Sequence, residues 1–370
     1  MKIIADDKIP FLRGVFEEVA EVKYLPGSAI KKEDILDADV MIIRTRTHCN
    51  KDLLEGTSVK FIATVTVGSD HLDIAWLEQA EIKWSNAKGC NSGAVCQYVA
   101  SVLALLIKEG LNPHNTTIGI VGVGMVGSKV EKLAKTLGFK ILLNDPLRAR
   151  VESESNFVNL QTILKQSDII TFHTPLTFKG IDATYHLFDF NSLDLLKPNA
   201  VIINASRGEV INSQALLKGL ESGKISKIIL DVWENEPDFS KELLEKVRIG
   251  TPHIAGYSRE GKINGTIMSV QAISRFFNLG LDNFRPELLP MPDNSIIKID
   301  AQNKQQFEIA AEAILKTYNV ADDDALLRAN PDDFEKLRDN YMMRKEFGAW
   351  KIETTDKSFP DILKKLGFDE

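Results

Sequence analysis

Only three cysteines stand among the 370 residues, Cys49, Cys90 and Cys96. An odd number without Cys-x-x-Cys or Cys/His metal spacing speaks against a disulfide framework or a metal site, and for reduced thiols in a cytoplasm. Long apolar runs are missing as well. The longest, around Val99–Ile107, falls far short of the ~20 residues that span a bilayer. The opening MKIIADDKIP carries acids where a secretory signal is apolar. Positive charge is in short supply: 45 Lys and Arg against 52 Asp and Glu give a net −7. That balance argues against nucleic acid as a partner, and it means an anionic substrate must meet a local basic patch. Internal repeats and low-complexity tracts are absent. What is there, 44% hydrophobic and 26% charged residues, describes a soluble globular chain too long for one ordinary core, so two or three domains are expected.

Three regions separate. Residues 1–92 alternate short apolar runs (KIIAD, VMIIRT, KFIATV, EIKWSN) with helical patterns over Phe11–Val19, Lys32–Ile35 and Ile74–Gln79. This predicts a small parallel α/β domain. A helix over Ser92–Glu109 leads into residues 93–257, where DIITF, AVIIN and KIILDV are β-branched runs of buried-strand length separated by helices near Leu160–Lys165 and Asn212–Gly223. A long helix over Ser258–Gly280 returns the chain to the first domain, completing it with residues 258–282. A Pro-rich linker, FRPELLPMP at 284–292, precedes a third unit over 290–370, with strands SIIKID and AWKIE and helices at Gln305–Tyr318 and Asp332–Arg344. This unit is marginal in size, which fits a domain completed by a second copy of the chain. Its Asp322–Asp324 run reads as a charged helix start rather than a metal site.

The most informative segment is Thr117–Asp145, TIGIVGVGMVGSKVEKLAKTLGFKILLND. An apolar strand, glycines at 122, 124 and 127, a helix closed by Gly138 and a second strand ending on an acid form a βαβ unit with the G-x-G-x-x-G fingerprint in register. Gly122 permits the tight turn, Gly124 lets backbone approach a diphosphate, and Gly127 lets the helix sit close on the sheet. The turn residues Met125 and Val126 lie at the helix start, whose dipole favours an anion. Asp145 is placed to accept hydrogen bonds from a ribose diol and would repel a 2′-phosphate, so NAD is expected over NADP. Arg148 and Arg150 temper that preference.

Three polar residues follow successive strands: Arg207 in NASRGEV, Glu236 in DVWENEP and His253 in TPHIAGY. Loops beyond the carboxyl ends of parallel strands are where open α/β sheets place ligands. Alcohol oxidation removes a hydride from carbon and a proton from oxygen. His253 suits the proton, Glu236 in contact would favour the imidazolium and orient the ring, and Arg207 offers a fork for a carboxylate. Each alone reads as a turn or surface residue; together beside a nucleotide fold they make a coherent set. Elsewhere, His71 and Asp73 read as turn and helix capping, His173 lines the cofactor cleft, and Cys90 has no partner base nearby.

The motifs HTPLT at 173–177, NASRG at 204–208, LDVWENEP at 230–237 and PHIAG at 252–256 resemble those of the D-isomer-specific 2-hydroxyacid dehydrogenases, over roughly residues 1–280. The resemblance implies a Rossmann-type doubly wound NAD domain, a flavodoxin-like α/β substrate domain and a small C-terminal α+β dimerisation domain. It implies Arg207, Glu236 and His253 as catalytic residues. NAD contacts are implied from Thr174, Ala205, Ser206, Asp231 and Gly256 besides the glycine turn and Asp145. Further segments, RTRT at 44–47, TVGSDHLD at 66–73, KGCNS at 88–92 and HIAGYS at 253–258, point within that family to a 2-hydroxy acid bearing a terminal phosphate, with contacts from Thr45, Thr66 and Tyr257. Arg44 and Arg46 alternate along a strand end, so one reaches the phosphate while the other faces solvent; Arg344 and Lys345 are the alternative cations. The rivals are another 2-hydroxy acid such as 3-phosphoglycerate, and an NAD-sensing binding protein on the same fold.

Overall fold

The structure, a computed structural model, describes residues 1–152, 156–286, 295–354 and 360–369. Its contacts divide it into two compact units, Met1–Asn91 with Ser258–Pro290 and Ser92–Tyr257 with Met291–Glu370. Most of the Pro-rich stretch, residues 287–292, lies outside the described residues. Among the described residues, no helix is long and apolar enough to cross a membrane.

The first unit holds five parallel strands: β1 (Lys2–Asp6), β2 (Glu21–Leu25), β3 (Val40–Ile43), β4 (Phe61–Thr64) and β5 (Lys83–Asn86), in the order β2-β1-β3-β4-β5. β3 and β4 are buried throughout, as continuous apolar strands covered on both faces must be. Met41, Ile43 and Ile62 pack with Ile35, Leu54 and Leu77 of three short helices. Val40, Ile42 and Phe61 pack with Val270 and Ile273 of the helix Arg259–Phe277. The helix expected over Phe11–Val19 is absent. Phe11 (φ 60°) and Gly14 (φ 85°) are left-handed, which breaks a right-handed helix, and the apolar spacing there serves instead to bury Leu12 and Phe16 from an irregular turn. The edge strand β2, EVKYL, alternates exposed and half-buried residues and has no apolar run to announce it.

In the second unit six parallel strands, β6 (Thr117–Val121), β7 (Lys140–Asn144), β8 (Ile169–Phe172), β9 (Ala200–Asn204), β10 (Ile225–Leu230) and β11 (Ile249–Gly250), take the order β11-β10-β9-β8-β6-β7. The order reverses between β6 and β8, the switch point where such sheets open a ligand crevice. The C-terminal residues add β12 (Ile296–Ile299) paired in parallel with β13 (Lys351–Thr354), and a helix Gln306–Thr317 that packs on the helix Ser92–Lys108. Phe307, Ile309, Ile314 and Leu363 share one core with Val99, Leu103 and Leu133. The apolar faces expected to await a second copy are thus met in large part within this chain; Met342 (87% exposed) and Met343 remain open. The helix expected over Asp332–Arg344 spans only Phe334–Asp339. Residues 341–346 leave it because Tyr341 and Arg344 are drawn into contacts with Asp323, Gln97 and the loop after β11.

Candidate active site

The glycine turn lies at the switch point. Gly122 has φ +85°, and a Cβ there would stand 2.8 Å from the carbonyl oxygen of His173 and 2.9 Å from Thr174 Cγ2. A Cβ on Gly127 would fall 2.0 Å from the Gly122 carbonyl oxygen, whereas one on Gly124 meets nothing within 4 Å. Two of the glycines therefore close the turn and the third leaves it open to a ligand. Asp145, half-buried at the end of β7, accepts from Val123 N (2.9 Å) and Arg148 N (3.0 Å), tying the second strand to the turn. Met125 is exposed and Val126 half-buried at the start of the Gly127–Leu137 helix. Facing the turn, His173 Nδ1 and Thr174 Oγ1 are buried with no hydrogen-bond partner. Unsatisfied buried polar atoms are uncommon, and together with the open Gly124 they fit the polar groups of a dinucleotide. Burial pushes the His173 imidazole down to about 4, so it is a neutral wall rather than a base.

Next along the sheet, the loop after β9 is held by Asn204. Its Oδ1 accepts from Ser206 N (3.0 Å) and Ser206 Oγ (2.8 Å), and its Nδ2 donates to the Arg207 carbonyl (2.9 Å). This fixes Ala205, Ser206 and Arg207 as one turn. A Cβ on Gly208 would lie 2.0 Å from the Trp233 carbonyl. Only glycine allows the loops after β9 and β10 to touch, bringing the Arg207 loop against the one that carries Glu236. Glu236 Oε1 accepts from Trp233 N (2.9 Å), and Oε2 meets His253 Nδ1 at 2.7 Å. Burial would raise the Glu236 carboxyl, but the His253 charge and hydrogen bond, the Trp233 N–H and the charge of Arg338 outweigh it and hold the group below the usual carboxylate range. An ionised carboxylate only accepts, so Nδ1 carries the ring hydrogen and Nε2 is left as a proton acceptor. With 31% of its side chain exposed, His253 stays within reach of a ligand.

Substrate-contact candidates of the first unit sit at the carboxyl ends of its strands. Arg44, just past β3, donates Nε to the fully buried Asp6 at the end of β1 (2.9 Å), across that sheet's own switch point. Thr45 beside it is exposed. Thr66 bonds Thr64 Oγ1 (2.7 Å) and the Gly68 carbonyl (3.0 Å), while His71 Nε2 meets Thr64 Oγ1 at 3.1 Å. Asp73 caps its helix by accepting from Trp76 N. Gly256 and Tyr257 of the second unit are half-buried after the His253 loop, and the Tyr257 ring meets Tyr341 edge-on at 5.9 Å.

The sequence and the fold have counterparts among known proteins. A family model described as D-isomer specific 2-hydroxyacid dehydrogenase, NAD binding domain, matches residues 106–255, and one described as a domain of unknown function (DUF3410) matches residues 288–367. The chain is 49% identical to an erythronate-4-phosphate dehydrogenase of Bacteroides thetaiotaomicron over 95% of its own length and 99% of that protein's. It is 42% identical to one of Proteus mirabilis over 100% and 99%. The chain belongs to the erythronate-4-phosphate dehydrogenase family. Its fold is shared with a D-lactate dehydrogenase from Aquifex aeolicus complexed with NAD and lactic acid, at a TM-score of 0.62 and 22% identity over 77% of this chain and 97% of that one.

As a member of the erythronate-4-phosphate dehydrogenase family, the chain is an NAD-dependent oxidoreductase acting on a CH–OH group. Two of the candidate residues are held by the protein itself. Asp231, expected among the NAD contacts, is 1% exposed, and its carboxylate accepts from Thr251 Oγ1 (2.7 Å), Ile254 N (2.8 Å) and Ala255 N (2.9 Å). It buttresses the loop of His253, whose own N–H donates to the Asp231 carbonyl (2.7 Å) and whose φ is 56°. Arg344, an alternative phosphate cation, is buried and has its guanidinium engaged by the protein. Sequence reading missed a second histidine–carboxylate pair, His186 Nε2 to Glu234 Oε1 at 2.6 Å, which braces the loop after β10 from its other side as Glu234 also accepts from Ser213 N. No spacing joins residues 186 and 234; only the fold does.

Proposed function

We propose that the chain oxidises the 2-hydroxyl of 4-phospho-D-erythronate to give 2-oxo-3-hydroxy-4-phosphobutanoate, a step toward pyridoxal 5′-phosphate (vitamin B6). The observation that carries this reading is the 2.7 Å contact of His253 with Glu236, in a chain that aligns end to end with erythronate-4-phosphate dehydrogenases. Bound NAD supplies the hydride acceptor. The glycine turn, Asp145, Thr174 and the Ala205–Arg207 turn would hold it. His253 takes the hydroxyl proton on Nε2, Glu236 keeps the ring in the tautomer that leaves that nitrogen free, and Arg207 binds the carboxylate and the forming 2-oxo oxygen. Residues 1–92 with 258–282 serve as substrate domain, 93–257 as NAD domain, and 290–370 as the domain that pairs two copies, for which the exposed Met342 and Met343 offer apolar contact. A cytoplasmic homodimer is the form we expect, and light scattering at micromolar concentration checks it.

The test is NAD reduction with a panel of 2-hydroxy acids, with and without a terminal phosphate. Turnover confined to 4-phosphoerythronate supports the reading; preference for 3-phosphoglycerate, or no turnover at all, sinks it. Two outcomes follow from the candidate contacts. NAD should be used at least about tenfold better than NADP, ~1.4 kcal/mol, because a 2′-phosphate would meet the Asp145 carboxylate; equal kcat/KM for both cofactors removes Asp145 from this role. Arg44→Lys should raise KM for 4-phosphoerythronate about 10–100-fold, the range of a lost charge-assisted bond, with kcat little altered. Lysine keeps a charge beside buried Asp6 while losing the fork. An unchanged KM would place the phosphate elsewhere.

A further inference from the structure

The loop that delivers His253 is gripped from outside the nucleotide sheet. β11 has two residues and lies at the sheet's edge, so its ladder alone gives little hold on the residues after it. The C-terminal residues supply the rest. Gly250 N donates to Asp324 Oδ1 (2.7 Å), and Arg328 both pairs with that carboxylate (2.9 Å) and donates to the carbonyls of Leu244 (2.6 Å) and Val247 (2.8 Å).

Beyond the histidine, Arg344 takes over. Its Nη1 donates to the Ile254 carbonyl (3.1 Å) and Tyr341 Oη (3.3 Å), its Nη2 to the carbonyls of Ala255 and Ala94, and its Nε to Gln97 Oε1 (3.1 Å). A guanidinium has five N–H donors, and five acceptors surround this one. The Tyr318 ring lies under it at 4.2 Å, and Gln97 returns a bond to the Lys345 carbonyl (2.8 Å). The N–H groups of Ile254 and Ala255 are the ones bound by Asp231. The two residues after His253 are therefore fixed on both sides, by a carboxylate through their N–H groups and by a guanidinium through their carbonyls. A lysine, with one compact head, cannot reach two successive carbonyls and the Ser92–Lys108 helix together.

We propose that Arg344 is a positioning residue for the proton-accepting histidine, so that the segment matched as a domain of unknown function takes part in catalysis within its own chain. The proposal rests on the reading of His253 as the proton acceptor. Displacement by ~1 Å at a reacting group slows turnover by up to about 10²-fold. Arg344→Lys is therefore expected to lower kcat for 4-phosphoerythronate oxidation about 10–100-fold, with KM and NADH binding, followed by nicotinamide fluorescence, nearly unchanged. Gln97→Met, which removes one of the acceptors that orient the guanidinium, should give the same pattern more weakly.

A double-mutant cycle separates positioning from bulk stability. Once His253 is alanine, Arg344→Lys has no proton acceptor left to misplace and should lower the residual rate less than about twofold, inside the scatter of independent sites. An equal loss in both backgrounds overturns the proposal. So does a lowered melting temperature with native kcat per folded enzyme in both Arg344→Lys and Gln97→Met. A His253→Ala enzyme as fast as the native one overturns the acid–base reading itself, which the first arm of the cycle reveals independently.

Discussion

Replacing His253 by alanine is expected to lower kcat for oxidation about 10²–10⁴-fold, the usual worth of a positioned acid–base group, while NADH still binds. The pH profile sharpens the test. Oxidation needs the imidazole neutral at the start, so kcat/KM should rise with pH as the ring loses its proton. Glu236 is held below the usual carboxylate range, so its carboxylate contributes no limb within or above that range. Glu236→Gln keeps the shape but replaces the ionised acceptor of the Nδ1 hydrogen by a neutral amide, and kcat should fall as the ring loses the partner that fixes its tautomer. Near-native turnover in both variants would show that the 2.7 Å pair is not the acid–base couple.

Ending the chain at Asn283 should produce the second large effect, and on stability rather than rate. Phe307, Ile309, Ile314, Ile352 and Leu363 belong to the core built around the Ser92–Lys108 helix. Full burial of one such side chain contributes ~1.5–3 kcal/mol, so losing this group rivals the ~5–15 kcal/mol of a whole domain. We expect the shortened chain to melt at least about 10 °C lower or to aggregate, as read by scanning fluorimetry. A shortened chain with native melting would mean that the C-terminal residues only join copies, as their apolar patterning alone suggests.

What could be read from the residues was whatever is local. The glycines at 122, 124 and 127 and the acid at 145 carry their meaning in their spacing, because turn, helix and second strand follow one another directly. Arg207, Glu236 and His253 stand out as candidates because each follows an apolar strand run, and parallel sheets gather such ends along one edge. The false helix over Phe11–Val19 arose because apolar spacing was read without its stops: a left-handed turn buries Leu12 and Phe16 as well as a helix would. The inward turn of Asp231 and the grip of Arg344 on a loop 89 residues away in sequence were not legible. An aspartate after a strand and an arginine after a helix look the same whether they face ligand or protein, and only packing decides.

The shortness of β11 has one more consequence. An open parallel sheet exposes a row of unpaired peptide groups at each edge, and such rows are where other chains add strands and start to aggregate. Here the edge beside the acid–base loop offers two residues, and the Gly250 N–H is already capped by Asp324 under Arg328. An incoming strand finds no ladder to extend. The same side chains that steady the loop thus guard the protein's solubility at the place where the sheet would otherwise be left unfinished.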